Sequence, residues 1–355
     1  MIGLVLGWTL AGHAGEASPR VRAVRVPVDG KVIKAQIGAD GAIHVLVDST
    51  NGPLYLLSRD HGRVFSEPIA VVDSAARKPG LNFSSWDLAV GKDNRAHVAM
   101  ASNAWKLKLP EEEWGFFYAS LAPNAKAFSP TRNINRKPSE GFSLAAGGSG
   151  SVTAGFLSGK LFAMVSNDGG ETFAASAELN PEWNPCDCCT TSVAYGADGR
   201  LALLYREETG NERDMYVVLW DQARGDKLLR KRLSGESWKI NGCPMTYFTI
   251  APCAKGYLAA WPTKGEIYFA RLDKDGAVLP PGEIKTPGTS GMRTGVLALG
   301  APDGTALVAW KAKSELGWQI YDAKGRPKGS PGSEKSRGDG AAGVPLPDGT
   351  FILFP

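Results

Sequence analysis

Histidine is scarce in this 355-residue chain, which has only His13, His44, His61 and His97. That shortage argues against a His-rich copper centre or a catalytic zinc of the usual imidazole type. Charge of one sign is not in excess either: 40 basic and 36 acidic residues are interleaved, leaving a net charge of +4. A nucleic-acid footprint would need clustered Lys and Arg, so no nucleic-acid partner is expected. The apolar stretch in "MIGLVLGWTLAGHAGEASPR" runs for about ten residues, too short to span a bilayer. With small residues after it, it reads as the core of a secretory leader cleaved after Ala14 or Ala17. Residues 1–17 are therefore assigned to a signal peptide and 18–355 to one domain, secreted or periplasmic. Cysteine is sparse as well, at five residues, yet three of them fall within four positions in "NPCDCCTT", residues 184–191.

What the chain does have is 43 glycines and 23 prolines spread along its length, the composition of many short strands joined by tight turns. Seven segments share one form, an apolar run, a Gly- and Asp-rich turn, and a second apolar run. "DLAVGKDNRAHVAM", "TSVAYGADGRLALLY" and "GVLALGAPDGTALVAW" are three of them, and each reads as a β-hairpin. Their turns fall near residues 40, 93, 149, 198, 255, 303 and 348, a spacing of about fifty that matches propeller blades. A third strand follows most hairpins ("LFAMVSND", "DMYVVLWD"), then a weaker fourth. The pattern predicts an all-β propeller of four-stranded blades, seven favoured over six. The seventh hairpin ends the chain and "RVRAVRVPV", residues 20–28, is unpaired, so the two termini are expected to share the last blade and hide both sheet edges.

At "SNDGGETF" the residues Ser166, Asp168, Gly170, Thr172 and Phe173 resemble the Asp-box of sialidase-type BNR-repeat propellers. "SRDHGRVF" is a degenerate copy with Ser58, Asp60, Gly62 and Phe65. Both follow a third strand, in register with the blade period. The box is a turn device, its Ser and Asp bonding nearby amides and its Phe plugging between sheets, and does not itself establish catalysis. The resemblance implies a sialidase-like fold over nearly the whole chain. A sialidase activity would further imply an arginine trio clamping a substrate carboxylate, a tyrosine nucleophile backed by a glutamate, and an aspartate acid/base. Arg206, Arg213 and Arg293 are candidate clamps, with Glu207 and Tyr247 as partners. None lies in a motif that matches residue by residue, and "RVP" at 25–27 stands in place of the expected Arg-Ile-Pro.

Propeller topology gives the cysteines an address. Connections between the outer strand of one blade and the inner strand of the next emerge on one face, around the central channel. Cys186, Cys188 and Cys189 precede the inner strand of blade four, and Cys243, in "NGCPMT", precedes that of blade five. All four should meet at the channel mouth, whereas Cys253, at the far end of its strand, should be a lone thiol. C-x-C-C followed one blade later by G-C-P also resembles a subgroup of exported bacterial sialidase-like proteins; this implies the blade fold and the clustered site, but no reaction.

Three chemistries suit the cluster. A disulfide from Cys243 to one of the triplet would staple blades four and five, as is common in oxidising compartments; adjacent Cys188 and Cys189 are poorly placed to bond each other. A soft metal, with copper as Cu(I) favoured over tetrahedral zinc, could be held by Cys186, Cys188, Cys189 and Cys243, with Met245 as a thioether ligand. A redox thiol would need local positive charge, for which Lys239 and Arg293 are candidates. The charged loop "YREETGNERDMY", residues 205–216, should form a polar rim beside the sulfurs. The function expected is an exported module binding a soft metal or a small ligand. The alternatives are a sialidase-type hydrolase acting on a glycan with purely structural cysteines, and a scaffold for a protein partner.

Overall fold

The computed structural model describes residues 21–73, 80–110, 113–137, 139, 141–221, 227–338 and 340–355; the leader assigned to residues 1–17 lies outside them. Apolar runs this short can satisfy their backbone groups only by pairing with a neighbour, and they pair in chain order as antiparallel meanders. Blade one is Lys31–Ile37, Ile43–Ser49, Gly52–Ser58 and Ile69–Ala70. Blade two is Phe83–Val90, Ala96–Ser102, Phe116–Leu121 and Arg132–Asn135, and blade three is Phe142–Ala146, Val152–Leu157, Leu161–Ser166 and Ala177–Glu178. Blade four is Ser192–Tyr195, Leu201–Arg206, Met215–Asp221 and Lys227–Arg232, and blade five is Thr249–Cys253, Gly256–Thr263, Glu266–Leu272 and Ile284–Thr289. Blade six is Val296–Gly300, Ala306–Ala312, Glu315–Tyr321 and Pro327–Lys335. In each blade the strands are called A to D in chain order.

The second strands of blades three and four are buried at every residue, because each sheet packs on a neighbour at both faces. Successive A strands touch one another in a closed cycle of seven, the last against the first. The chain is therefore a seven-bladed β-propeller. Its seventh sheet has three strands, Ala342–Pro345, Phe351–Phe354 and the N-terminal Val21–Ala23. The last of these runs parallel to Phe351–Leu353, and the Val24 amide extends the ladder to the Leu353 carbonyl at 2.9 Å. The two termini thus close the ring, on a strand shorter than the run at 20–28 suggested.

The turns at residues 58–65 and 166–173 seal blade seams. Ser166 Oγ accepts from the Gly170 amide at 2.8 Å and donates to Asp168, which accepts the Thr172 amide at 2.9 Å. Ser58, Asp60 and Gly62 repeat the pattern, with Asp60 accepting the amides of Arg63 and Val64. Phe173 meets the ring of Tyr118 in blade two edge-on, and Phe65 meets Phe354 in blade seven. Gly170, at φ +87°, lies so close to Tyr118 that a Cβ there would fall 1.8 Å from the phenol oxygen; only glycine fits the approach.

Candidate functional site

Strand periodicity starts the site. Along strand B of blade four, Tyr205 and Glu207 project to one side and Arg206 to the other. On the first side, Glu207 accepts from the Tyr205 hydroxyl at 2.8 Å, pairs with Arg230 at 2.6 Å and receives the Asn184 amide at 3.1 Å. Arg230 lies over the rings of Trp183, Tyr205 and Tyr216. This knot, buried at Tyr205 and Glu207, fixes the chain just before the cysteines. Pro185 bridges to Glu207, and the Cys186 amide donates to the Arg206 carbonyl at 2.8 Å, so the triplet begins as a continuation of the blade-four sheet. The Cys189 amide then turns back to the Cys186 carbonyl at 2.9 Å. A Cβ on Gly141 of the preceding blade would fall 2.4 Å from the Cys189 carbonyl oxygen.

Blade five brings the fourth sulfur. Its entry loop is tied to the 205–216 loop by the Arg213 amide on the Trp238 carbonyl (2.9 Å) and the Ile240 amide on the Asn211 carbonyl (2.9 Å). Asp214, paired with Arg232 at 2.8 Å, accepts the Trp238 amide at 3.0 Å. Gly242 (φ +136°) and Met245 (φ +47°) bend the backbone on either side of Cys243. The result is a four-sulfur cluster where the entry loops of blades four and five meet. Cys188 and Cys243 form a disulfide, Cys186 Sγ lies 3.5 Å from Cys243 Sγ, and Cys189 Sγ lies 3.3 Å from Cys186 Sγ. Cys186 and Cys189 are buried thiols, while the bridged pair is half-buried. The sulfurs of Cys186, Cys189 and Cys243 all lie within 4.8 Å of one another. Cys253 is a free thiol at the other end of its strand.

Two guanidiniums face the sulfur cluster. Arg213 Nη1 donates to Cys186 Sγ at 3.1 Å. Arg206 is 0% exposed, donates to the carbonyls of Arg213 and Pro262 (both 2.6 Å) and to Thr246, and lies over the Trp238 ring. Its hydrogen-bond partners are all neutral, and its Nε has none. Burying a cation is costly, and the Asp214 carboxylate and the neighbouring sulfurs offset that cost, so negative charge on the Cys186 sulfur is favoured. The Cys186 thiol is lowered to about 7, first by the hydrogen bond donated by Cys189 and then by Arg213 and Arg206, against the opposing effect of burial. Cys189 goes the other way, pushed up because it gives that bond, because it is buried and because it sits beside the Cys186 charge. Burial lowers Arg206 itself.

Several expectations change here. The 205–216 loop lies beside the sulfurs with Arg213 on Cys186, but its Arg206, Glu207 and Asp214 are buried, and the carboxylates serve as anchors for the two cysteine loops. The positive charge comes from Arg206 and Arg213, whereas Arg293 contacts Met245, its amide on the Met245 carbonyl at 2.7 Å and its Nη2 4.0 Å from Sδ. Met245 meets the cluster through its backbone, the amide donating to Cys243 Sγ at 3.4 Å, rather than through its thioether. Cys188 belongs to the disulfide and not to the metal-sized trio. Tyr247 is 43% exposed, and the tyrosine on Glu207 is Tyr205. A clamp for a substrate carboxylate needs open guanidiniums, which the enclosed Arg206 does not offer. The roles of Tyr205, Arg230 and Trp183 were missed by sequence reasoning. The i, i+2 spacing of Tyr205 and Glu207 on a strand was the available signal for the first, but nothing local points to Arg230 on strand D.

Fold and site together define a seven-bladed propeller with a cysteine cluster at the seam of blades four and five. No family model and no curated protein matches the chain. Solved structures of similar fold include a protein of unknown function from Dyadobacter fermentans, with 12% identity and a TM-score of 0.53 over 77% of this chain and 89% of that one. An ulvan lyase, a polysaccharide lyase solved with a glucuronate–sulfated rhamnose unit, has 12% identity and a TM-score of 0.52 over 89% of this chain and 87% of that one. A chain of the mitotic checkpoint complex has 13% identity and a TM-score of 0.56 over 98% and 93% of the two chains. At these identities the likeness is one of fold alone. No helix among the described residues is long and apolar enough to cross a membrane.

Proposed function

We propose that this is an exported propeller that binds a soft metal ion, Cu(I) in preference to zinc, through Cys186, Cys189 and Cys243 at its channel mouth. The carrying observation is the juxtaposition of three sulfurs within 4.8 Å with two guanidiniums, Arg213 bonded to Cys186 Sγ and Arg206 enclosed beside the thiols. Three thiolates around a monovalent ion carry a double negative charge, which Arg206 and Arg213 would balance inside a buried site. Thiolates select soft ions, and a set of three falls short of the four ligands that structural zinc takes. Cys243 is shared between the trio and the disulfide, so loading requires the two-electron reduction of Cys188–Cys243. Export to an oxidising compartment agrees with the bridge.

The test is anaerobic titration of fully reduced protein with Cu(I) against a chromophoric chelator, with Zn(II) as competitor. One Cu(I) per chain should survive competition and be lost in Cys186→Ser and Cys243→Ser. Copper uptake no greater than that of a variant without the four cysteines, or preference for Zn(II), overturns the reading. The hydrolase alternative gains nothing from Arg206 or from the Tyr205–Glu207 pair, which are buried beyond reach of a glycan.

A further inference from the structure

The cluster holds more sulfur than a metal trio or a staple needs, and it is layered. The outer pair, Cys188 and Cys243, is half-buried and bridged; the inner pair, Cys186 and Cys189, is buried and reduced. Each inner thiol is one short step from a new bond. Cys186 Sγ is 3.5 Å from the bridged Cys243 Sγ, and Cys189 Sγ is 3.3 Å from Cys186 Sγ, against about 2.05 Å for a formed bridge. Two residues separate Cys186 from Cys189, and the backbone between them already turns back, with the Cys189 amide on the Cys186 carbonyl at 2.9 Å. The Arg213 guanidinium on Cys186 Sγ marks that sulfur as the one that carries charge.

We propose that the four cysteines form a dithiol–disulfide relay that moves the bridge from Cys188–Cys243 at the mouth to Cys186–Cys189 beneath it. In the first step the Cys186 thiolate attacks Cys243 Sγ. The Cys186–Cys243 bond forms, the Cys188–Cys243 bond breaks, and Cys188 leaves as a thiolate that takes up the proton Cys186 released. In the second, the Cys189 thiolate attacks Cys186 Sγ, the Cys186–Cys189 bond forms, and Cys243 leaves with the proton from Cys189. Two thiols and one disulfide exist before and after, so no external oxidant or reductant is consumed. What changes is position. Before the exchange the mouth presents a disulfide; afterwards it presents a dithiol, able to exchange with the exposed disulfide of an incoming molecule. The relay goes beyond metal binding and does not require it.

The experiment uses the wild-type protein in the state with one disulfide among the four. Native protein is incubated with iodoacetamide, quenched in acid, blocked with N-ethylmaleimide in denaturant, and mapped by mass spectrometry. Among the four cluster cysteines only the half-buried pair is open to the first reagent, and Cys253 is alkylated in every chain as an internal control, so the relay predicts accumulation of chains alkylated at Cys188 and Cys243 and bridged between Cys186 and Cys189, until these are the majority. In Cys189→Ser the second step is removed, and the trapped form should instead be alkylated at Cys188 with a Cys186–Cys243 bridge. Persistence of Cys188–Cys243 in every chain, whatever the incubation, overturns the relay, as does alkylation that, within the cluster, falls only on Cys186 and Cys189. Copper uptake by the fully reduced protein is a separate measurement, so either idea can fail while the other stands.

Discussion

Cys186 is where the local chemistry is concentrated, and its anionic tendency has two separable sources. The hydrogen bond from Cys189 contributes most, and the guanidiniums of Arg213 and Arg206 add to it. In a Cys253→Ser background with Cys188–Cys243 intact, thiolate absorbance near 240 nm should titrate with a midpoint close to 7. Arg213→Gln should raise that midpoint by removing a cation that favours the charged form. Cys189→Ala should raise it further, because it removes the larger contribution. A midpoint unmoved by both would mean that another group sets the thiol. Arg206 differs in kind. It bridges blade four to the Pro262 carbonyl and Thr246 of blade five from a fully enclosed position, and Arg206→Met should destabilise the fold by about 3 kcal/mol in chemical denaturation, since its buried acceptors lose their donor. Loss of less than a tenth of that would show that the guanidinium does not tie the blades.

Between residue and molecule lies the blade, and two of its features respond to pH and to reduction. His44 and His97 occupy equivalent places on the B strands of blades one and two, each Nδ1 2.6 Å from a tyrosine hydroxyl, Tyr55 or Tyr118. Burial lowers both from their ordinary value near 6.5 to about 4. The unfolded chain therefore takes up protons before the native one as pH falls. Their stabilising contribution is complete above pH 6.5 and disappears as pH falls through 4, on the order of 3 kcal/mol per histidine. Urea unfolding across that window should show the slope, and His44→Gln with His97→Gln should flatten it; an unchanged slope would place the acid sensitivity elsewhere. The Cys188–Cys243 bridge joins the entry loops of blades four and five across 55 residues. Cys243→Ser should cost roughly 2–4 kcal/mol by releasing that loop in the unfolded chain, and should leave circular dichroism of the strands unchanged. Collapse of the strand signal would mean the bridge holds the blades themselves together.

For the whole molecule, closure is the decisive feature. The parallel pairing of Val21–Ala23 with Phe351–Leu353 is the only sheet contact that joins the chain's beginning to its end among the described residues. Deleting residues up to Val24 should expose the edge at Phe351–Phe354, lower the melting temperature and promote aggregation read by light scattering; a soluble, equally stable truncation would show that the ring does not depend on this strand. Much of the architecture was legible in the chain. The turns near residues 40 to 348 carry their own Gly and Asp signals, and a hairpin is a local event whose residues are neighbours in sequence. The ring then follows from a count of blades, and the ring is what predicted that Cys243 would meet the triplet. Which sulfurs bond was not legible, because C-x-C-C says nothing about how its loop turns. Only the folded seam sets Cys188 against Cys243 and leaves Cys186 beneath. That Arg206 is enclosed and Arg213 rests on Cys186 was not legible, because charge in a sequence carries no record of depth; the enclosure of Arg206 depends on blade five packing over it. The sequence by itself determined the repeating strands, their closure and the face on which sulfur gathers, since these rest on short-range pairing repeated seven times. Tertiary structure alone decided which thiols are bridged, which are charged and which are hidden, since those properties arise from groups some fifty residues apart brought together at one seam.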